Sequence, residues 1–364
     1  MALNFHRMSE LAPAGGLIFP RYTPPPQGGI TEIALGVLWL RLALPFALDH
    51  VNIYLISDGA GWAVLDTGVA DTRTRAAWER VLADELGGRP VTRLIVTHNH
   101  PDHVGLAGWF HERYCTELYM SQVEYLFAQN LIHNPDAVAS PEHAEFYRRH
   151  GLNEAAIDAA MSRGRSYVKL TSGLPGSYHR LEAGDRIGVG GRELEVLTGG
   201  GHSQEQVMLL DREAGVFFAA DQVLARISPN IGVWPWEPLA DPLGDYLKSL
   251  SKLRAVPDDV LVLPAHNLPF YGLHQRLADL ERHHEARCAE IAGACGGYPR
   301  TIAEILPVLF PRALDPHQTG FAFGEVLAHV NHMVRRGELA IEEDAKGMHR
   351  VRRLQTPRRS AGRG

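Results

Sequence analysis

The chain has 364 residues, 45% hydrophobic and 21% charged, with 36 Lys and Arg against 42 Asp and Glu for a net charge of −6. This composition excludes a disordered, fibrous or collagen-like chain, and no run of about 18 apolar residues predicts a membrane-spanning helix. A mildly acidic chain is not built to coat nucleic acid or an anionic membrane, so the expected partner is a small molecule.

In chain order, residues 1–30 read as an N-terminal loop segment with three consecutive prolines at 24–26. ITEIALGVLWLRL, HVNIYLISD and GWAVLDTG then read as consecutive strands, rich in Val, Ile, Leu and Trp. TRTRAAWERVLADELGG (72–88) has the period of an amphipathic helix ending at a Gly pair, and VTRLIVTH follows as a buried strand. Residues 121–165 turn helical, with Ser140-Pro141-Glu142 as one helix start. Tyr125, Leu126, Phe127, Phe146 and Tyr147 make this stretch a candidate apolar lid. Strands return over 178–201 and 208–223, followed by a helix at 241–256 and a buried strand at 259–267.

The last hundred residues differ. A long helix is expected over 273–295. Ile302, Ile305, Leu306 and Leu309, then Phe323, Val326, Leu327, Val330, Met333 and Val334, fall at helical spacing. GELAIEED and MHRVRRL read as a hairpin. Helix, helix, hairpin is the order of a small winged-helix-like module, placed at 296–355 after the Gly296-Gly297 boundary. The tail 356–364 is basic and expected to be disordered. The N-terminus has no apolar core followed by a small-residue cleavage site, so no signal peptide is expected. Cys115, Cys288 and Cys295 are too few and too scattered for a disulfide framework, and a reducing cytoplasm is the expected compartment.

Histidine is unusually abundant, at 19 residues. Histidine is the commonest metal ligand. The segment THNHPDHVG (97–105) follows the apolar strand Leu94-Ile95-Val96. In extended chain, alternate side chains point the same way, so His98 and His100 can converge on one point. A turn from Pro101 brings Asp102 and His103 to a neighbouring point. Imidazoles on one side and a carboxylate with an imidazole on the other suit two adjacent borderline cations, zinc first, with iron or manganese accepted by the same donors. Further ligands are expected at later strand ends. His202 follows Leu194-Glu195-Val196-Leu197, Asp221 ends FFAAD, and His266 follows Val260-Leu261-Val262-Leu263. Asp66 in VLDTG is placed to orient a ligand imidazole from behind. His283 and His284 point about 100° apart on a helix and are not expected to chelate one ion together.

These residues resemble the metallo-β-lactamase superfamily, through His98-x-His100-x-Asp102-His103, His202, Asp221, His266 and Asp66, over roughly 35–270. The resemblance implies an α+β fold, a four-layer αββα sandwich with metals at one edge, in a catalytic domain spanning 31–295. It implies one site of His98, His100 and His202, a second of Asp102, His103 and His266, and Asp221 bridging them. The C-terminal helices and hairpin resemble the winged-helix extension of some β-lactamase-like hydrolases. Their expected role is packing or a homodimer contact.

Two close ions lower the pKa of a shared water, so the expected enzyme is a hydrolase with a bridging hydroxide as nucleophile. Asp102 or Asp221 is expected to shuttle the proton to the leaving group. Arg226, Trp234 and Trp236 are the candidate substrate-pocket residues, Arg226 for an anion and the tryptophans for an apolar group. A thioester or ester of a small, acyl-bearing substrate, as in hydroxyacylglutathione hydrolases, is the first expectation. The alternatives are an RNA or phosphodiester nuclease of the winged-helix-bearing type, which the net charge opposes, and a lactonase or β-lactamase.

Overall fold

The computed structural model describes residues 16–45 and 48–354, so the expected tail 356–364 and the start of the N-terminal segment lie outside the described residues. The chain divides into two compact units. The first takes residues 1–137, 164–229 and 246–280 and holds two sheets. The first sheet comprises β1 (Ile30–Ala34), β2 (Val37–Ala43), β3 (His50–Asp58), β4 (Gly61–Leu65), β5 (Val91–Ile95), β6 (Leu118–Met120) and β7 (His179–Arg180), in that order across the sheet. The second comprises β8 (Arg186–Val189), β9 (Arg192–Gly199), β10 (Gln206–Asp211), β11 (Val216–Ala220) and β12 (Leu261–Pro264), ordered β12-β11-β10-β9-β8.

The long strand expected at ITEIALGVLWLRL breaks into β1 and β2 because Gly36 takes φ +66°, a left-handed turn conformation that glycine adopts at little cost. Alternation then decides which side chains face inward. Ile33, Val37, Trp39, Tyr54, Ile56 and Leu65 of the first sheet meet Leu194, Val196, Leu209, Phe218, Leu261 and Leu263 of the second in one core. The Tyr54 and Phe218 rings meet edge to face at 5.7 Å, and Tyr54 Oη donates to the Pro264 carbonyl at 2.9 Å. Each such fully buried side chain contributes about 1.5–3 kcal/mol. The helices Thr72–Arg80 and Ala107–Tyr114 meet through Trp78 and Phe110, whose rings lie 4.9 Å apart. On the second sheet, residues 246–253 are helical, with Ser249 beside Gly199 of β9. This is the α+β metallo-β-lactamase architecture expected from the sequence.

The second unit gathers 138–163, 230–245 and the chain from 281. It holds helices Pro141–Arg149, Glu154–Met161, Ile302–Leu309 and Pro316–Arg335, the end of helix Leu273–Ala294, and the hairpin β13 (Leu339–Glu343) with β14 (His349–Arg353). Capping boxes start two of these helices, Thr301 with Glu304 and Asp315 with Gln318. The stretch expected to form a lid as one piece of the catalytic domain is therefore divided. Helix Gln122–His133 stays in the first unit, whereas Phe146 and Tyr147 pack on Phe323 at 6.0 and 5.3 Å in the second. Their apolar faces fill that core. Among the described residues no helix is long and apolar enough to cross a membrane.

One close approach fixes the end of the helical turn Pro101–Val104. A Cβ on Gly105 would lie 2.4 Å from the Pro101 carbonyl oxygen, 2.5 Å from that of Gly68 and 2.8 Å from that of Leu170. All three are backbone atoms and cannot swing aside. Gly105→Ala should therefore cost about 3 kcal/mol, the upper range for overpacking. Chemical denaturation would measure this, and an unchanged midpoint would contradict it.

Candidate metal centre

Five chain segments converge at one edge of the sandwich. β4 runs parallel to β5, and β11 to β12. β10 is antiparallel to both β9 and β11, so β9 runs the same way as β11. Asp66, His98, His202, Asp221 and His266 thus all follow the carboxyl ends of strands. Asp66 and Ala220 have φ of 65° and 46°, unusual for non-glycine residues. Such backbone strain clusters where a site needs a particular side-chain direction.

The candidate ligand atoms form two groups, His98 with His100, His202 and Asp221, and Asp102 with His103 and His266. Within each group the atoms lie within 4.8 Å of one another. His98 Nε2 and His100 Nδ1 are 2.9 Å apart, and the His202 ring centroid lies 5.1 Å from that of His98 and 4.6 Å from that of His100. Asp221 faces both groups. Its Oδ2 is 3.1 Å from His202 Nε2 and 3.6 Å from His103 Nε2, and its Oδ1 is 3.3 Å from His266 Nε2. Asp102 Oδ2 lies 3.4 Å from His266 Nε2 and 3.6 Å from His103 Nε2.

Supporting hydrogen bonds settle which ring nitrogen faces the centre. Asp66 Oδ1 accepts Thr97 N at 2.8 Å, and its Oδ2 accepts Thr97 Oγ1 at 2.9 Å and His103 Nδ1 at 2.8 Å. Because the Thr97 hydroxyl proton goes to Asp66, its oxygen accepts from His98 Nδ1 at 2.9 Å. His266 Nδ1 donates to the His50 carbonyl at 2.7 Å. All three rings therefore present Nε2 inward. His103 Nε2 and Asp221 Oδ1 are buried and make no hydrogen bond among the described residues. Buried polar atoms without a hydrogen bond are rare, and these sit among nitrogen and oxygen donors suited to a divalent cation. The residues fit the metal ions that the resemblance implies.

Electrostatics divide the two groups. Burial, then the neighbouring imidazoles, pushes His98 far below the usual histidine range; burial and His202 push His100 down to about 3. These rings are neutral and ready to ligate. Burial would also lower His103 and His266, but the Asp102, Asp66 and Asp221 carboxylates hold His103 well above its usual range. Asp221 and Asp102 raise His266 to about 10. Burial opposes ionisation of Asp102 and Asp221, yet His103 and His266 win and keep both carboxyls below the usual carboxylate range.

None of the three pocket candidates belongs to a ligand group. Arg226 is exposed, with its guanidinium 5.6 Å from the Phe19 ring centroid, and belongs to neither ligand group. Trp234 and Trp236 belong to the second unit, where their rings stack 5.7 Å apart and Trp234 covers the Arg163 guanidinium at 4.1 Å. The sequence reading missed His50 and Thr97. His50 lies far from the motif in sequence, and Thr97 looks like the end of a strand.

The raised His103 and His266 give a signed expectation. Both hold a proton at neutral pH, and a ligating imidazole must give it up. Metal uptake at pH 7 should release on the order of one to two protons, and affinity should rise with pH toward about 10, where His266 loses its own proton. Calorimetry in buffers of different ionisation enthalpy measures the release, and a count of zero would contradict the assignment.

The model for the metallo-beta-lactamase superfamily matches residues 47–266, and that for the metallo-beta-lactamase-like C-terminal domain matches 288–354. The chain is 41% identical to a solved beta-lactamase domain protein from Burkholderia ambifaria, with a TM-score of 0.85 over 93% of this chain and 98% of that one. It is 25% identical to a probable metallo-hydrolase of Bacillus subtilis, over 77% of this chain and 86% of the relative. It is also 25% identical to an acyl-coenzyme A thioesterase of Gallus gallus, over 64% and 77%, and to a hydroxyacylglutathione hydrolase of Rhodopseudomonas palustris, over 60% and 67%. With a family model matched over more than half its length, and with the His and Asp groups gathered at the strand ends, the chain belongs to the metallo-beta-lactamase superfamily of hydrolases.

Proposed function

We propose that this protein is a dinuclear metal-dependent hydrolase that cleaves thioesters of small, acyl-bearing substrates. The observation that carries the reading is the pair of adjacent ligand groups with Asp221 facing both. His98, His100 and His202 would hold one cation and Asp102, His103 and His266 the other, with Asp221 placed to serve both. Zinc is the expected metal for this nitrogen and oxygen set, and iron or manganese suits it too. Two such cations, when bound, supply Lewis acidity and make water acidic enough to attack near neutral pH.

The chain's own residues do the rest. Asp66 and Thr97 fix the rings of His98 and His103, and the His50 carbonyl fixes His266. Asp102 and Asp221 are held ionised, so each can accept a proton from the attacking water and then pass it toward the leaving group. A thiol has a pKa of about 8.5 and leaves readily as thiolate, so a thioester asks less of that proton transfer than an alkoxide leaving group does. This favours the thioester over the phosphodiester. A relative named as an acyl-coenzyme A thioesterase and one named as a hydroxyacylglutathione hydrolase support the same reading. Three free cysteines fit the cytoplasm as its compartment.

A turnover screen of the metal-loaded protein tests the substrate class, with acyl-coenzyme A and acylglutathione thioesters, lactones, β-lactams, a phosphodiester and RNA as arms. Thioesters should be cleaved with the highest kcat/KM, and turnover confined to RNA or phosphodiesters would overturn the proposal. His202→Ala should lower thioester turnover by about 10³-fold or more, matching loss of several kcal/mol of metal-derived stabilisation. Full turnover in that variant would refute the ligand assignment.

A further inference from the structure

The sequence Ser121-Gln122-Val123-Glu124 has the spacing of a capping box, in which Ser and Glu close the start of their own helix. Neither side chain does so here. Ser121 is the N-cap of helix Gln122–His133, but its side chain makes no capping bond. Its Oγ donates instead to the Glu205 carbonyl at 2.8 Å. Glu124 is fully buried and also turns away from its helix. Its Oε2 accepts the Asn99 backbone N–H at 3.0 Å and the Asn99 side-chain amide, while its Oε1 accepts the Glu205 N–H at 2.7 Å. The Glu205 carboxylate reaches back to the Val123 N–H at 3.4 Å. Among the described residues no Lys or Arg pairs with Glu124, so these three N–H donors satisfy it.

The partners are informative. Asn99 lies between His98 and His100, and Glu205 lies three residues beyond His202. Tyr167 Oη closes the same clamp by donating to the Asn99 carbonyl at 2.6 Å, and Val207 N donates to the Thr97 carbonyl at 2.8 Å. One buried carboxylate thus ties the loop bearing two candidate ligands to the loop bearing a third. A local helix rule is broken at the point where two site loops meet, and such conflicts concentrate at functional sites.

We propose that Glu124 is a positioning residue: its carboxylate sets the spacing between the His98/His100 loop and the His202 loop, and through them the affinity of the first cation position. The inference rests on the reading that those imidazoles hold a cation. The other group has separate supports, Asp66 behind His103 and the His50 carbonyl behind His266, and neither is bonded to Glu124.

Glu124→Gln keeps the shape but exchanges one acceptor oxygen for an N–H donor. Both oxygens face N–H groups, so either amide orientation sets donor against donor. Metal-stripped full-length wild type and Glu124→Gln would be titrated with cobalt(II), followed by visible absorption and by chelator competition. The first-group ion is identified as the one lost in His202→Ala. Glu124→Gln should bind that ion about 10- to 100-fold more weakly, with shifted ligand-field bands, and the second ion as wild type does. Wild-type affinity at both positions would overturn the proposal, as would equal weakening at both with a lowered Tm, the mark of a merely structural role. Should Glu124→Gln not fold, Asn99→Ala, which deletes only the side-chain donor, should weaken the same ion by a smaller factor. Two wild-type affinities in that variant would overturn the proposal. Cobalt that fails to bind wild type would instead remove the metal reading, and this inference with it.

Discussion

Asp102 and Asp221 are carboxylates packed at the edge of the sandwich against imidazoles, with no Lys or Arg beside them among the described residues. Burying charge is costly unless it is paired, and protonated imidazoles are the charge partners this cluster has of its own. His103 and His266 therefore carry protons that their burial would otherwise strip away. On the proposed function, cations would take the place of those protons. That exchange would account for the buried carboxylates and imidazoles gathered at the strand ends.

The sandwich gives those groups their direction. β4, β5, β9, β11 and β12 end at the same edge, and each delivers a side chain there from a short connection. Strain at Asp66 and Ala220 and the crowding around Gly105 are local costs of that delivery. The packing of Tyr54 on Phe218 and the bond from Tyr54 to the Pro264 carbonyl join the two sheets close to where His266 leaves β12. Core packing and site geometry are one structure.

Much of this was legible in the sequence, for physical reasons. His98, His100, Asp102 and His103 sit within six residues, so strand alternation and one turn suffice to bring them together. His202, Asp221, His266 and Asp66 could be picked out because each ends an apolar strand. The supports could not. The His50 carbonyl is a backbone atom, and its bond to His266 spans 216 residues. Glu124 reads as an ordinary capping residue until the tertiary contact diverts it. Helical periodicity over 121–165 correctly marked apolar faces but could not say what they face, and Phe146 and Tyr147 turned out to pack on Phe323. Gly36, in the middle of an apolar run, marks a turn between two strands.

The direct measurement is anomalous diffraction from metal-loaded crystals, recorded on both sides of the absorption edge of the bound element. Two peaks should stand side by side, one among His98, His100 and His202 and one among Asp102, His103 and His266, each in contact with an oxygen of Asp221. A single peak, or two peaks with Asp221 turned away from either, would contradict the account.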